Sequence, residues 1–228
     1  MDILSRSDAQ AAVQPYGWSY LLGALVVRFP VATVVEGVEL ARVAADAAGP
    51  ESQDRLQIDV RAEGVRLSVA DRRVGITASE VALVERIAAA LRARGAQPVP
   101  ALTAEGSHPV VELELAIDTA DAERIAPFWL AALGYDRSAY ANGAIVDPAG
   151  RLPTIWFQDM DPVRTQRNRI HLDVTVAHEE SDGRIAAVLA AGGMVGPTSS
   201  PPAYTVLIDA DGNEVCICTW LGRDDVIS

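Results

Sequence analysis

The sequence predicts an α+β protein built from two domains, and three observations support this prediction. Short segments in which polar and apolar residues alternate predict half-buried strands along much of the chain. Segments with the apolar period of a helix lie between them. Residues 96–109 carry several prolines and little periodicity, which is typical of an interdomain linker. The chain has 228 residues and half of them are hydrophobic, so it can supply two cores of ordinary size.

The first domain, residues 1–95, is predicted to be an antiparallel sheet covered by helices. The patterns predict helices over 5–13, 31–48 and 81–94, and strands over 17–29, 57–62 and 65–69. A capping box at residues 77–80 marks the start of the third helix. In the second helix, the apolar period assigns Val34, Val35 and Val38 to the apolar face.

Composition and charge narrow the range of partners. The formal net charge of −12 argues against nucleic acid and anionic membrane surfaces, since both attract basic patches. No apolar run has membrane-spanning length, and the first residues lack the basic and apolar regions of a signal peptide. The two cysteines, Cys216 and Cys218, are too close in sequence to staple a fold. These features predict a reduced, cytoplasmic protein without membrane or nucleic-acid partners.

The second domain, residues 110–228, is predicted to contain an internal duplication, because the order strand, helix and further strands occurs twice. Strands are expected over 111–117, 144–146, 153–158, 170–176, 205–208 and 214–220, and helices over 122–133 and 182–191. The two helices have similar sequences, and a glycine follows each of them. Two strand–helix–strand modules of similar size are therefore expected in this half.

Two predicted strands of the second module carry the candidate chemistry. His171 and Asp173 are two residues apart, so they share one face of the first strand. Glu214, Cys216 and Cys218 share one face of the last strand by the same rule. A histidine and carboxylates on polar strand faces favour a lined pocket over a core. The main hypothesis is that His171 and Glu214 face the same cavity.

Four segments of the second half, residues 127–135, 147–150, 168–173 and 209–216, carry a resemblance to a known family. With these segments the second half resembles the vicinal oxygen chelate superfamily, in particular its glyoxalase-like branch. The segments occur in the order expected for that superfamily and span the whole second half. The resemblance implies paired βαβββ modules whose sheets curl around one cavity.

In metal-dependent members of that superfamily, the first and last strands of the modules supply histidine and glutamate ligands. The resemblance therefore implies one divalent metal ion bound by His171 and Glu214, with Glu112 as a third ligand, and gives the first two a catalytic role. Module one departs from the pattern, because its first strand offers Glu112 or Glu114 and its last strand offers only Gln158. The alternative is that His171 and Glu214 form a hydrogen-bonded pair in a wet cavity.

Further side chains are expected to contact a ligand. They are Trp156, Gln158, Arg169, Asp173 and Cys216. Arg169 belongs to a basic loop that would suit an anionic substrate, although a solvated loop is the simpler interpretation. For Cys216 the alternative is a buried apolar role.

In the first half, Gly17-Trp18, the order of elements and residues 75–83 before the last helix carry a second resemblance. By these features residues 5–94 resemble the pterin-4a-carbinolamine dehydratases. The catalytic His-His-Pro of that family falls where this chain has Ala48-Gly49-Pro50, and a further family histidine falls near Ala70-Asp71. Dehydration needs a positioned proton donor or acceptor. We therefore expect the fold without dehydratase activity.

Three functions remain open at this point. The second domain is a metal-assisted enzyme on a small polar molecule, of lyase, isomerase or dioxygenase type, or it is a metal-free protein that sequesters a small molecule. In the third hypothesis both domains are degenerate and act through a protein partner or a homodimer. The sequence favours a small-molecule-binding, glyoxalase-like protein whose enzymatic status is open, and it does not name the ligand.

Overall fold

The computed structural model describes residues 2–52, 54–71, 74–99, 112–138, 143–160 and 170–222. The chain divides into two compact units, Met1–Glu112 and Leu113–Ser228. Most of the predicted linker, from residue 100 onward, lies outside the described residues. In the part of the chain that is described, no helix is long and apolar enough to cross a membrane.

The first unit contains one antiparallel sheet with three helices. The helices are α1 (Arg6–Val13), α2 (Val34–Ala48) and α3 (Ala78–Ala93), and the strands are β1 (Ser19–Leu21), β2 (Ala24–Pro30), β3 (Leu56–Arg61) and β4 (Gly64–Val69). The strand order is β1-β2-β4-β3, and every neighbouring pair is antiparallel. Residues of all three helices pack with β2 and β4 in one core. The predicted α+β class and the helix-covered antiparallel sheet are confirmed.

The start of α3 carries the capping box that the sequence predicts. The hydroxyl of Thr77 accepts a hydrogen bond from the first turn, and the Glu80 carboxylate accepts one from the Thr77 backbone N–H at 2.9 Å. Nη1 of Arg55 lies 2.8 Å from the same carboxylate. Burial opposes ionisation of Glu80, but the hydrogen bonds from Thr77 and Arg55 outweigh it and lower the pKa of Glu80. The cap is therefore a buried, charged anchor for the helix.

The single strand expected over residues 17–29 is a hairpin. Leu22 and Gly23 separate β1 from β2 and have φ values of 44° and 82°. Two consecutive residues with positive φ form the tight turn that matches the twist of paired strands. Leucine rarely adopts this conformation, so the apolar pattern gives no sign of the turn.

Helix α2 places three of its valines outward, while Leu40 and Val43 pack against the core. Val34, Val35 and Val38 are exposed, contrary to the apolar face that the period assigned to them. The sheet-facing side instead contains Gly37, where a Cβ atom would lie 2.8 Å from Cγ1 of Val60. The helix approaches the sheet so closely that small residues occupy the contact.

The second unit contains two modules with the same topology. Module one is β5 (Glu114–Thr119), α4 (Ala122–Leu133), β6 (Asp136–Arg137), β7 (Ile145–Val146) and β8 (Thr154–Asp159). Module two is β9 (Leu172–Thr175), α5 (His178–Ala190), β10 (Met194–Val195), β11 (Tyr204–Ile208) and β12 (Glu214–Cys218). The sheet orders are β6-β7-β8-β5 and β10-β11-β12-β9, with the first and last strands of each module paired in parallel. The expected pair of βαβββ modules is confirmed.

The modules share an apolar core and are also joined by hydrogen bonds between polar side chains. Residues of α4 and α5 pack with the inner faces of both sheets in one apolar cluster. The turn before β12 reaches across to module one, where the Trp129 indole N–H donates to the Asp209 carboxylate at 3.0 Å. Its neighbour Asp211 accepts hydrogen bonds from the Thr119 hydroxyl and from Arg124. The two modules therefore form one cooperative unit.

Strand boundaries differ from the predicted ones mainly at the short edge elements. The two-residue strands β6 and β10 are too short to show an alternating pattern. The strand expected to start at Ile170 begins at Leu172, which is the first residue paired with β12. Ile170 is 79% exposed and lies outside the core.

Candidate functional site

A cavity of about 500 Å³ lies on the open face of the module-two sheet. Its described lining combines a polar group, His171, Asp173 and Glu214, with the less polar side chains of Tyr204, Val206 and Cys216, among others. Side chains at 198, 200 and 203, in the segment between β10 and β11, also contribute. The volume matches that of typical small-molecule sites.

Strand alternation explains why these side chains meet. Leu172 and Val174 of β9 pack into the core, so Asp173 between them faces the opposite side. On β12, Val215 and Ile217 are buried in the same core, and Cys216 faces the cavity. In the parallel ladder, Asp173 and Cys216 are directly paired. The carboxylate and the thiol are therefore placed side by side by the backbone itself.

Three different donor groups converge at one end of the cavity. Nε2 of His171 lies 3.2 Å from Oδ1 of Asp173. One ligand atom from each of His171, Asp173 and Cys216 lies within 4.8 Å of the other two. About half of the surface of the His171 and Asp173 side chains is exposed, whereas Cys216 is 7% exposed. The cluster is thus open to solvent on its histidine and carboxylate side and closed behind the sulfur.

The charges around this cluster favour the binding of a cation. Burial, followed by the Asp173 carboxylate and a hydrogen bond to it, raises the pKa of the Cys216 thiol to about 12, with smaller contributions from Cys218 and Glu214. Without a cation the thiol is therefore protonated at neutral pH. Among the described lining residues are two carboxylates, Asp173 and Glu214, and no arginine. A cation would relieve the repulsion between these groups.

The arrangement differs from the ligand set His171, Glu214 and Glu112 that the resemblance implied. Glu214 lines the cavity with His171, but Cys216 is the β12 residue that belongs to the donor cluster. The reason is the ladder register, because pairing with β9 starts at Val215, one residue after Glu214. Glu112 lies in the first unit and forms an ion pair with Arg66.

The remaining predicted contact residues are distributed over other places. Trp156 and Gln158 project from β8 on the open face of the module-one sheet, opposite to buried Ile155, and they are not among the described lining residues of the cavity. Arg169 lies outside the described residues. Sequence reasoning did not identify Tyr204, which lines the cavity two residues before Val206 on β11. The alternation of the β11 segment was the available signal.

The paired βαβββ modules, with a cavity on one sheet face, also match a known protein family. Residues 114–218 match the family model described as a glyoxalase-like domain. The second unit therefore contains a glyoxalase-like domain, as the resemblance of this half implied. The resemblance of residues 5–94 to the pterin dehydratases stays a prediction. No curated protein matches the chain.

Several solved structures align with about half of the chain. A hypothetical protein from S. aureus is 23% identical over 48% of this chain and 97% of its own, with a TM-score of 0.36. A fosfomycin resistance protein from Mesorhizobium loti is 15% identical over 48% of this chain and 91% of its own, with a TM-score of 0.39. A glyoxalase/bleomycin resistance protein/dioxygenase family enzyme from Burkholderia phytofirmans is 18% identical over 46% and 95%, with a TM-score of 0.37.

Proposed function

We propose that the second unit binds a small polar molecule in the module-two cavity, with the help of a divalent metal ion held by His171, Asp173 and Cys216. The observation that supports this proposal is the convergence of one nitrogen, one oxygen and one sulfur donor within 4.8 Å at an open end of the cavity. These are three of the side-chain types that bind zinc and related ions in proteins.

The three residues fit such an ion. Tetrahedral ligands at about 2.0–2.3 Å from a metal lie roughly 3.3–3.8 Å from one another. The 3.2 Å between His171 and Asp173 already falls close to this range, and because all three atoms lie within 4.8 Å of one another, the other separations need to close by at most about 1.5 Å. Three protein ligands with an exposed side leave a position for the bound molecule, which is the arrangement of catalytic metal sites. Both partly exposed ligands can adjust without moving the core.

When bound, the metal supplies a Lewis acid that polarises a carbonyl or enediolate oxygen. The protein side chains have separate tasks. Glu214 lies on the cavity face of β12, two residues from Cys216, where it can accept a proton from a bound molecule. Tyr204 and Val206 form a less polar wall that orients the rest of the molecule. Glu112 is not proposed as a metal ligand, because it is paired with Arg66 in the first unit.

The test is the metal content of the purified full-length protein, measured by elemental analysis without added chelator. We expect near-stoichiometric metal in the wild type and a strong loss in His171→Ala. The matched control is His178→Ala, since this histidine starts α5 and is not among the cavity residues. If neither the purified protein nor protein reconstituted with zinc, cobalt, manganese and iron(II) holds metal, the metal-assisted function is wrong.

A metal-free binding protein is the second candidate, and one observation favours it. The raised pKa of the Cys216 thiol means that an ion must displace a strongly held proton before sulfur can bind. A neutral thiol beside Tyr204 and Val206 would suit an uncharged or cationic organic molecule. Thermal-shift screening in the presence of a chelator tests this candidate. Ligands that stabilise the wild type equally with and without chelator would favour it over the metal site.

A further inference from the structure

Resting on the metal site proposed above, we propose that Cys216 makes this site selective for thiophilic ions, zinc or cobalt(II), over hard ions such as manganese(II) and magnesium. The thiolate of Cys216, in the middle of β12, would bind the ion at the position that a carboxylate occupies in an oxygen-rich site. The inference concerns which ion the site takes, and not whether it takes one.

The donor set itself favours this choice. Hard divalent cations bind through several oxygen ligands, and magnesium demands an octahedral shell of oxygens. The described cluster offers oxygen from Asp173 alone, beside an imidazole nitrogen and a sulfur. Thiolate ligands select zinc and related ions, and imidazole suits the same group. The cluster is therefore matched to a borderline ion in low coordination number.

The position of the sulfur is fixed by the sheet. Cys216 lies in the centre of β12, between Val215 and Ile217, which are both buried in the core. It is paired with Asp173 on one side and with Val206 on the other. A one-residue slip of the strand would move its core side chains to the wrong face.

The two other polar residues on the same face of β12 lie one step away in each direction. Glu214 and Cys218 are each two residues from Cys216, which corresponds to about 7 Å along a strand. Glu214 therefore does not substitute for the sulfur as the ligand beside Asp173. Cys218 is a second thiol on the same strand and face that is not part of the donor cluster. It provides a matched control for the role of Cys216.

Cobalt(II) is the probe, because cobalt bound to a thiolate gives a sulfur-to-metal charge-transfer band in the near ultraviolet. The full-length protein, freed of metal, is titrated with cobalt(II) and followed by absorption. We expect the band in the wild type at one equivalent, its loss in Cys216→Ser and its retention in Cys218→Ser. Bound cobalt without the band, or a band that disappears in Cys218→Ser and persists in Cys216→Ser, would overturn the inference.

Competition measures the selectivity directly. The ratio of zinc to manganese(II) affinity is determined for the wild type and for Cys216→Asp, in which an oxygen ligand replaces sulfur. We expect the ratio to fall at least tenfold in the variant, and an unchanged ratio contradicts the inference. Far-ultraviolet circular dichroism verifies that each variant is folded. If a Cys216 variant is not folded, the inference is decided by the cobalt–sulfur band of the wild type and of Cys218→Ser.

The outcomes separate this inference from the function on which it rests. Metal binding that depends on His171 but shows no cobalt–sulfur band keeps the metal-assisted function and removes Cys216 from the ligands. Manganese(II) or iron(II) bound without zinc or cobalt overturns this inference alone, and absence of all four ions from the wild type overturns both. A band that depends on Cys216 supports both.

Discussion

The two modules of the second unit have the same topology but different open faces. In module two, the pair Asp173–Cys216 lies between two core-facing pairs of the β9–β12 ladder. In module one, the corresponding place between two core-facing pairs of the β5–β8 ladder is held by Ala116–Trp156. The inner faces of both ladders are apolar and contribute to the common core. The backbone and the core therefore preserve the duplication, while among the described residues a cluster of side chains that could hold a metal ion is found on module two.

The turns before the last strands differ in a similar way. In module one, the buried Asp147 carboxylate accepts hydrogen bonds from the backbone N–H groups of Ala149, Arg151 and Leu152, all within its own turn. In module two, Asp209 closes its turn and also binds Trp129 of the other module. One copy of the turn stabilises itself, and the other also joins the modules.

The largest expected effect comes from the turn that joins the modules. Asp209→Ala should lower the free energy of unfolding of the second unit by about 4 kcal/mol, because the buried donors of Trp129 and Asn213 lose their acceptor. Asp147→Ala should cost about half as much, since it removes bonds within one turn only. Urea unfolding followed by circular dichroism gives both values. Equal losses would show that the cross-module bond adds nothing.

Removal of a ligand from module two is expected to have the next largest effect. Asp173→Ala should weaken zinc binding more than about 100-fold, since loss of a ligand should exceed the 10–100-fold cost of losing a residue that only orients one. Glu114→Ala is the control, because it is an exposed residue on the open face of the module-one sheet. Isothermal titration with zinc compares the two variants. A similar loss in both would mean that the open faces of the modules are not functionally distinct.

The three donor residue types of module two can also be introduced into module one. Glu114→His, Ala116→Asp and Trp156→Cys together place the histidine, carboxylate and thiol of module two at the corresponding places of module one. We expect a second equivalent of cobalt(II), bound about tenfold more weakly, since the surrounding side chains were not selected to orient the ligands. Titration by absorption counts the equivalents. A single equivalent in a folded variant would show that the ladder position alone does not make the site.

The smallest effect concerns acid stability. Burial raises the pKa of Asp147, but the hydrogen bonds from Arg151, Ala149 and Leu152 and the charge of Arg151 outweigh it and hold the pKa below its ordinary value. A carboxyl whose pKa is lower in the folded state contributes stability above its unfolded pKa and loses it as pH falls through the folded one. Asp147→Asn should therefore remove about 1 kcal/mol of stability at neutral pH and less below about pH 3.

Thermal unfolding of Asp147→Asn and the wild type at pH 7 and at acidic pH measures this difference. A gap between the two proteins that stays constant with pH would mean that the native turn does not depend on the charge of the carboxyl.

Much of the site could be predicted from period-two alternation, and the ladder register could not. Alternation placed His171, Asp173, Glu214 and Cys216 on faces that line the cavity, as the structure shows. It carries no information on which residue of β12 lies beside which residue of β9, because a long crossover joins the two parallel strands. Cys216 and not Glu214 belongs to the donor cluster because pairing of β12 with β9 starts at Val215. This register depends on the tertiary structure.

The same distinction holds for the fold. Glycines marked the C-terminal ends of the helices well, since their cause is local. The starts were less certain: α5 begins at His178, four residues before the predicted start, because Ala177 provides no side-chain cap. The outward valines of α2 could not be predicted, because the closeness of Gly37 to Val60 depends on the partner strand. The turn at Leu22 could not be predicted either, but here the reason is local. Leucine rarely adopts positive φ, so its presence does not indicate such a turn.

The parallel pairing of β9 with β12 has a consequence for how the module assembles. Its first and last strands are sheet neighbours, so the ladder between them closes only after the chain has completed the helix and two further strands. An ion bound by Asp173 and Cys216 would tie the beginning of the module to its end. The ion would bind the folded module and not the unfolded chain, in which the site does not exist, so the loaded protein would resist opening by an amount that grows with ion concentration.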